Sequence, residues 1–144
     1  MKRVLDRLYP DRRGAPSPPP GRNEACALLE GEGRLQETIR RAASRSRECS
    51  LRLREVYARS ERRAGRERAD CFLRRGGLPP RPIPRPEGVL TLLRRAHDRL
   101  EGLAREYETA SAANGRRREE YRRYAGECAR DAALVRSLVE RAMG

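Results

Sequence analysis

Four cysteines, three carboxylates set among apolar neighbours and one histidine are the side chains of this chain whose types and spacing could do chemistry. Cys26, Cys49, Cys71 and Cys128 are too far apart for a CxxC redox or metal motif, and each falls at or beside an apolar helix position, the setting of a small buried hydrophobe. Geometry allows one sharper use. Cys26, near the start of one predicted helix, and Cys71, near the end of the next, lie at the same end of an antiparallel pair, where they can meet as a disulfide or as two soft metal ligands. Cys49 precedes Cys71 by 22 residues, about 33 Å along a helix, and is excluded from that pair. Glu32, Glu67 and Asp131 interrupt otherwise apolar stripes. An inward carboxylate has to be offset by a metal, another cation or a hydrogen-bond network, and an arginine fork from a neighbouring helix is the ordinary partner. His97 lies beside an apolar seam with only Glu101 in helical reach, a surface-type pair. A dyad of Cys128 with His97 can be drawn, but no orienting group or oxyanion donors accompany it, so no catalytic residue is expected.

The second chemical feature is arginine. The chain carries 34 basic residues, of which Lys2 is the one lysine, and a net charge of +13. The excess is spread along the sequence, which favours general attraction to polyanions over one defined groove. Two concentrations stand out as polyanion contacts: Arg3, Arg7, Arg12, Arg13 and Arg22 in the first 22 residues, and Arg116, Arg117 and Arg118 at the start of the last predicted helix. Cations at a helix N-terminus oppose its dipole, which makes the second cluster locally unfavourable and suggests retention for a partner. A platform of aromatic residues for stacking bases is missing, since Tyr121 and Tyr124 fit the core better.

These side chains must be positioned by helices. All ten prolines fall between Pro10 and Pro20 or between Pro79 and Pro86, and the two segments left free carry helix-period apolar spacing. The sequence predicts a flexible basic tail over 1–22, helices over about 23–44, 49–75, 87–113 and 116–142, and a stiff crossover over 76–86 ending the second helix at Gly76-Gly77. Asn23 is the expected N-cap of the first helix. The inward stripes read Ala25, Leu28, Glu32, Leu35, Ile39, Ala42; then Cys49, Leu53, Val56, Ser60, Ala64, Glu67, Cys71; then Val89, Leu93, Ala96, Leu100, Leu103, Tyr107, Ala110; and last Tyr121, Tyr124, Cys128, Asp131, Val135, Leu138, Ala142. The first turn is placed between Ser44 and Ser50, although no Gly or Pro enforces it and one long helix is the alternative. Gly31, Gly33, Gly65, Gly102 and Gly126 offer close helix approach. The fold class is all-α: an antiparallel four-helix bundle of two hairpins joined by the Pro-rich crossover.

Leu28-Leu29-Glu30-Gly31-Glu32, Ser60-Glu61-Arg62-Arg63-Ala64 and the run from Cys71 through Gly76-Gly77 to Pro80 resemble the ferritin-like superfamily, in particular its small bacterial members related to rubrerythrin. The resemblance covers about residues 23–142. It implies a bundle holding a di-iron centre on inward carboxylates and two Glu-x-x-His pairs, with Glu32 at the first-helix ligand position. Glu61 is followed three residues later by Ala64 and Glu127 by Arg130, so both motif histidines are missing. The metal candidates reduce to Glu32, Glu67, Asp131 and His97, and no bound metal or other cofactor is expected.

The functional expectation is a non-enzymatic bundle of ferritin-like type without a working di-iron site, acting by association with itself or a protein partner. Binding of nucleic acid or another polyanion is the alternative, and a metal-dependent oxidase or metal store the second alternative. No small-molecule substrate is evident. A membrane span is excluded by the lack of a long apolar run, and with no apolar signal stretch the cytoplasm is the expected location.

Overall fold

The structure, a computed structural model, describes residues 20–71 and 86–144, with side chains from Glu24 onward. Those residues are all-α: α1 (Pro20–Arg45), α2 (Arg47–Arg52), α3 (Arg54–Asp70), α4 (Val89–Ala113), a 3-10 turn at Gly115–Arg117, and α5 (Arg118–Met143). No strand occurs among them, and no helix is long and apolar enough to cross a membrane. Residues 1–19 and 72–85, which hold most of the predicted tail and the Gly-Gly and Pro-rich crossover, lie outside the described part.

The helix ends follow from local chemistry. α1 starts at Pro20, ahead of the expected cap at Asn23; a proline is tolerated in the first turn, where its missing N–H has no helical acceptor. The break after α1 is real. Ser46 turns to extended backbone, with φ −152° and ψ 126°, and its hydroxyl accepts from the Cys49 N–H. That side-chain cap does the work expected of Gly or Pro, so the single long helix is ruled out. At Leu53, buried at the α2–α3 joint, the backbone leaves helical geometry for one residue while the Leu53 and Tyr57 N–H groups still bond to Cys49 and Leu53. α2 and α3 thus make one kinked helix. It ends at Asp70, five residues before the predicted end at 75. Cys71 adopts extended backbone there, and its sulfur is bonded to Cys26, with the two Cα atoms 4.8 Å apart.

Side-chain pairs define how the helices run. Gln36 to Ser60 and Arg40 to Tyr57 join α1 to α3 in opposite directions. Thr38 to Arg99 and Glu32 to Tyr107 do so for α1 and α4, and Arg94 to Met143 and Tyr107 against Tyr124 for α4 and α5. Arg59 to Asp131 and Arg66 to Glu120 complete the set between α3 and α5. Glu87, just before α4, accepts from Arg41 near the end of α1 and from both terminal nitrogens of Arg95.

The core is thin and richer in Leu than in any other residue, and within it the rings of Tyr121 and Tyr124 lie 5.8 and 5.4 Å from that of Tyr107. A small second cluster of Ala25, Leu29, Ala64 and Cys71 sits at the disulfide end. Nearly all predicted inward positions are buried; Ala142, in the last turn, is exposed, and Val89, in the first turn of α4, is half-buried. Of the glycines expected at helix contacts, Gly31 is one: a Cβ there would stand 3.0 Å from Leu103 Cδ2 on α4. Gly65 faces open space, and Gly102 and Gly126 approach only arginines of their own helices.

Two outcomes follow from this frame. The disulfide closes a loop of sequence separation 45, so replacing both cysteines by serine should cost about 4 kcal/mol in urea unfolding by the loop-entropy relation. Hydrogen bonds from Arg95, reinforced by Arg41 against the cost of burial, hold the Glu87 carboxyl down at about 2 from an ordinary 4.5. A carboxyl with a depressed folded value contributes stability that is present above pH 4.5 and lost as pH falls toward 2. The melting temperatures of the wild type and Glu87→Gln should therefore differ near neutral pH and converge on acidification.

Candidate functional site

The chemistry of this molecule is concentrated on α3. Its mean composition is strongly polar, yet Ser60, Arg63, Ala64 and Glu67 are all buried along it. Arg59, Arg63 and Glu67 recur every four residues, so the three lie on one face. That face meets α1 on one side and α5 on the other.

At its middle, Glu32 of α1 is fully buried and accepts four hydrogen bonds. Arg63 donates from Nε to Oε2 at 2.6 Å and from Nη2 to Oε1 at 3.0 Å, a bidentate fork. The Ser60 hydroxyl donates to Oε1 at 2.6 Å and the Tyr107 hydroxyl to Oε2 at 2.6 Å. Gln36 steadies Ser60 from behind, and Arg63 sends Nη1 to Glu127 on α5 at 3.1 Å. Every acceptor position of the Glu32 carboxylate is thereby taken. Burial works against a charged Arg63, but the adjacent Glu32 carboxylate outweighs it and keeps the guanidinium protonated. Burial, with Glu32 close by, pushes the Tyr107 hydroxyl far up, so it acts only as a donor.

A second network closes the end of α3. Glu67, fully buried, receives Nη1 and Nη2 of Arg117, each at 2.9 Å, and the Tyr121 hydroxyl at 3.1 Å. Arg117 also reaches Glu120 at 2.7 Å and Asp70 at 2.9 Å, and its guanidinium lies 4.2 Å from the centroid of the Tyr121 ring. Burial raises the Glu67 carboxyl, with Arg117 and Tyr121 pulling the other way. Burial, then the hydrogen bond to Glu120, pushes the Tyr124 hydroxyl up to about 12. The third pair is Asp131 of α5 with Arg59, whose Nε and Nη2 contact its two oxygens at 3.1 and 2.7 Å.

The predicted site residues therefore fall as follows. Glu32, Glu67 and Asp131 are buried, and each points at its own arginine instead of converging on a common point. The ligand set implied by the ferritin-like resemblance does not fit these residues: Glu32 has no acceptor position left and the neighbouring charge is a guanidinium. His97 is on the surface-facing side of α4, near Asp98 and Glu101, with ligand atoms within 4.8 Å of one another. Arg136 of α5 stands 3.3 Å from His97 Nε2 and 3.6 Å from Glu101, so a cation already occupies that edge. The drawn dyad is not assembled, because Arg136, the α5 neighbour of His97, lies two turns beyond Cys128, about 12 Å along the helix. Burial also holds the Cys128 thiol well above its usual range, against the pull of Arg63. Cys26 and Cys71 are joined. Of the arginine clusters, Arg3, Arg7, Arg12 and Arg13 lie outside the described residues, as does the Arg22 side chain. Arg116 and Arg118 are exposed, but Arg117 is turned inward to Glu67, which corrects its expected polyanion role: a buried carboxylate, not an outside anion, offsets its charge at the helix start.

Arg59, Arg63, Ser60 as donor, Tyr107, Glu120 and Glu127 were not singled out as a site by sequence reasoning. The usable signal was the four-residue recurrence of Arg59, Arg63 and Glu67 around Ser60 and Ala64.

Removing one partner of the central pair should be costly. Arg63→Met leaves Glu32 buried and unpaired, and urea unfolding should show a loss of about 3–5 kcal/mol. The combined change Glu32→Leu, Ser60→Ala, Arg63→Met, Tyr107→Phe removes the buried charges and both hydroxyl donors together, leaves only the partly exposed Glu127 without its arginine, and should recover most of that loss. Among known proteins, no family model, no curated protein and no solved structure matches this chain, so its activity has to be inferred from its own side chains.

Proposed function

We propose that the chain is a non-enzymatic helical assembly protein, an antiparallel four-helix bundle of ferritin-like connectivity whose metal position has been taken over by arginine. α1 and the kinked α2–α3 form one hairpin, and α4 and α5 the other. Supporting this, α1 runs opposite to α3 and α4, and α5 runs opposite to both of those helices, as the cross-helix pairs require. Cys71 lies beside the start of α1 and Glu87 beside its end, which calls for a long crossover. The observation that carries the functional reading is the Glu32 carboxylate saturated by Arg63, Ser60 and Tyr107. A group held this way is neither a free metal ligand nor a free base. What remains on the outside is a surface for association. The exposed apolar side chains Leu51 and Met143 are brought to one end, where Glu48 of α2 contacts Arg141 of α5.

Polyanion binding is the second reading, favoured by exposed Arg116, Arg118, Arg122 and Arg123 at the start of α5. Asp70, Glu119 and Glu120 share the cleft with Arg116 and Arg123, which weakens the local field for an anion. As to location, a disulfide persists in oxidising compartments, so the Cys26–Cys71 bridge speaks against the cytoplasm expected from the sequence.

Sedimentation velocity over a range of concentrations, with elemental analysis of the same sample, tests the reading. A concentration-dependent oligomer that Leu51→Asp/Met143→Asp converts to monomer, with only trace metal, is expected. A strict monomer, or stoichiometric iron, manganese or zinc, would overturn it. Retention on random nucleic acid that falls steeply with salt would favour the polyanion reading instead.

A further inference from the structure

The Cys26–Cys71 disulfide ties the end of α3 to the first third of α1. Its two halves differ in exposure. Cys71 is 6% exposed, inside the small cluster with Ala25, Leu29 and Ala64, whereas Cys26 is half-buried and packs against that cluster. The free thiols of Cys49 and Cys128 are buried in the other, larger cluster. Disulfides that solvent can reach are the ones that exchange readily with thiols.

Among the described residues, the other contacts on the last turn of α3 are of unequal strength. Glu67 is fully buried under the two terminal nitrogens of Arg117, which makes it a fixed point. Asp70, three residues on, pairs with Arg66 at 3.1 Å and Arg117 at 2.9 Å while itself partly exposed, and ion pairs open to solvent contribute little. The Cys71 N–H donates to the Glu67 carbonyl at 2.8 Å, a terminal helix bond of the kind that frays. Of these holds on Arg68–Cys71, the sulfur bond is the strongest.

We propose that Cys26–Cys71 is a thiol–disulfide exchange site, opened by a dithiol reductant in the folded protein, and that its opening frees Arg68–Cys71 from α1 while Glu67 holds the remainder of α3 in place. A thiolate of the reductant attacks Sγ of the half-buried Cys26; the S–S bond breaks and its electron pair leaves on Cys71 Sγ, which takes up a proton. The second thiolate of the reductant then closes on its own sulfur in the mixed disulfide and releases Cys26, also protonated. The protein disulfide thereby gains two electrons and two protons, and the reductant becomes a disulfide. Asp70 moves with the freed turn. It is one of the acids in the cleft with Arg66, Arg116, Arg117 and Arg123, so the reduced state presents that cleft with more positive charge. This inference is independent of how the bundle associates.

Differential alkylation of the full chain tests this, with the buried thiols of Cys49 and Cys128 as internal controls. The protein is treated with dithiothreitol in the absence of denaturant, pulsed with iodoacetamide and read by peptide mass spectrometry, its helicity being followed by circular dichroism. Cys26 and Cys71 are expected to label at least about tenfold faster than Cys49 and Cys128, because a local opening costs less free energy than exposure of the main core. In Cys26→Ser, Cys71 should label as fast with no reductant present. A bond that stays oxidised until denaturant is added would overturn the proposal. So would a Cys71 that, once its partner is reduced or replaced, labels no faster than Cys49 and Cys128, whether because the end of α3 stays shut or because the whole fold opens.

Discussion

Desolvation of charge is the constraint on which this structure depends. A helix as polar as α3 cannot dock through apolar contact alone, and its neighbours α1 and α5 bring acidic groups inward at Glu32 and Asp131. Each of these carboxylates, and Glu67 of α3 itself, would be expensive to bury alone. The guanidinium fork resolves the conflict because its two parallel N–H bonds match a carboxylate and its charge is weakly hydrated. Arg63 is the extreme case, fully buried with its fork on Glu32 and its last nitrogen on Glu127. Through this one side chain α1, α3 and α5 are held together.

The molecule consequently has two kinds of seam. α4 packs on α5 and on α1 through leucines, alanines and tyrosines, in the usual manner of helix packing. α3 meets α5 and the 3-10 turn before it through a ladder in which Arg59, Arg63 and Arg66 find Asp131, Glu127 and Glu120 of α5 and Glu67 finds Arg117 of the turn. A ladder of this kind adds little net stability over well-packed leucines, but it penalises every other alignment, since a slip by one turn strands several buried charges at once. Tyr107 ties the two seams together, its ring in the aromatic cluster and its hydroxyl on Glu32. The disulfide performs a similar service at one end, where the apolar cluster is small.

Much of this was legible in the sequence. Helical spacing identified the buried faces, including the awkward fact that Glu32, Glu67 and Asp131 belonged to them, and the requirement for arginine partners followed from the cost of burying a charge. Antiparallel placement allowed Cys26 to meet Cys71, beside the plainer reading of four small buried thiols. What the sequence could not specify was which of so many arginines turns inward. Arg63 and Arg62 are neighbours of the same type, and only the phase of the kinked helix decides that one is buried and the other exposed. Arg117 misled for a related reason: it reads as part of a basic run, while its partner Glu67 is 50 residues away. Helix ends were harder still. Ser46 terminates α1 through a single side-chain bond, and α3 stops at Cys71, ahead of its glycines.

The central claim, that a protonated guanidinium permanently neutralises Glu32 inside the protein, is most directly tested by the arginine Nε–Hε resonances in nitrogen-15 NMR. Arg63 should give a resolved Hε signal that is shifted downfield by its 2.6 Å bond to Glu32 and is protected from exchange with water long after exposed arginines have lost theirs. An Arg63 Hε that exchanges as fast as those of the surface arginines would contradict the account.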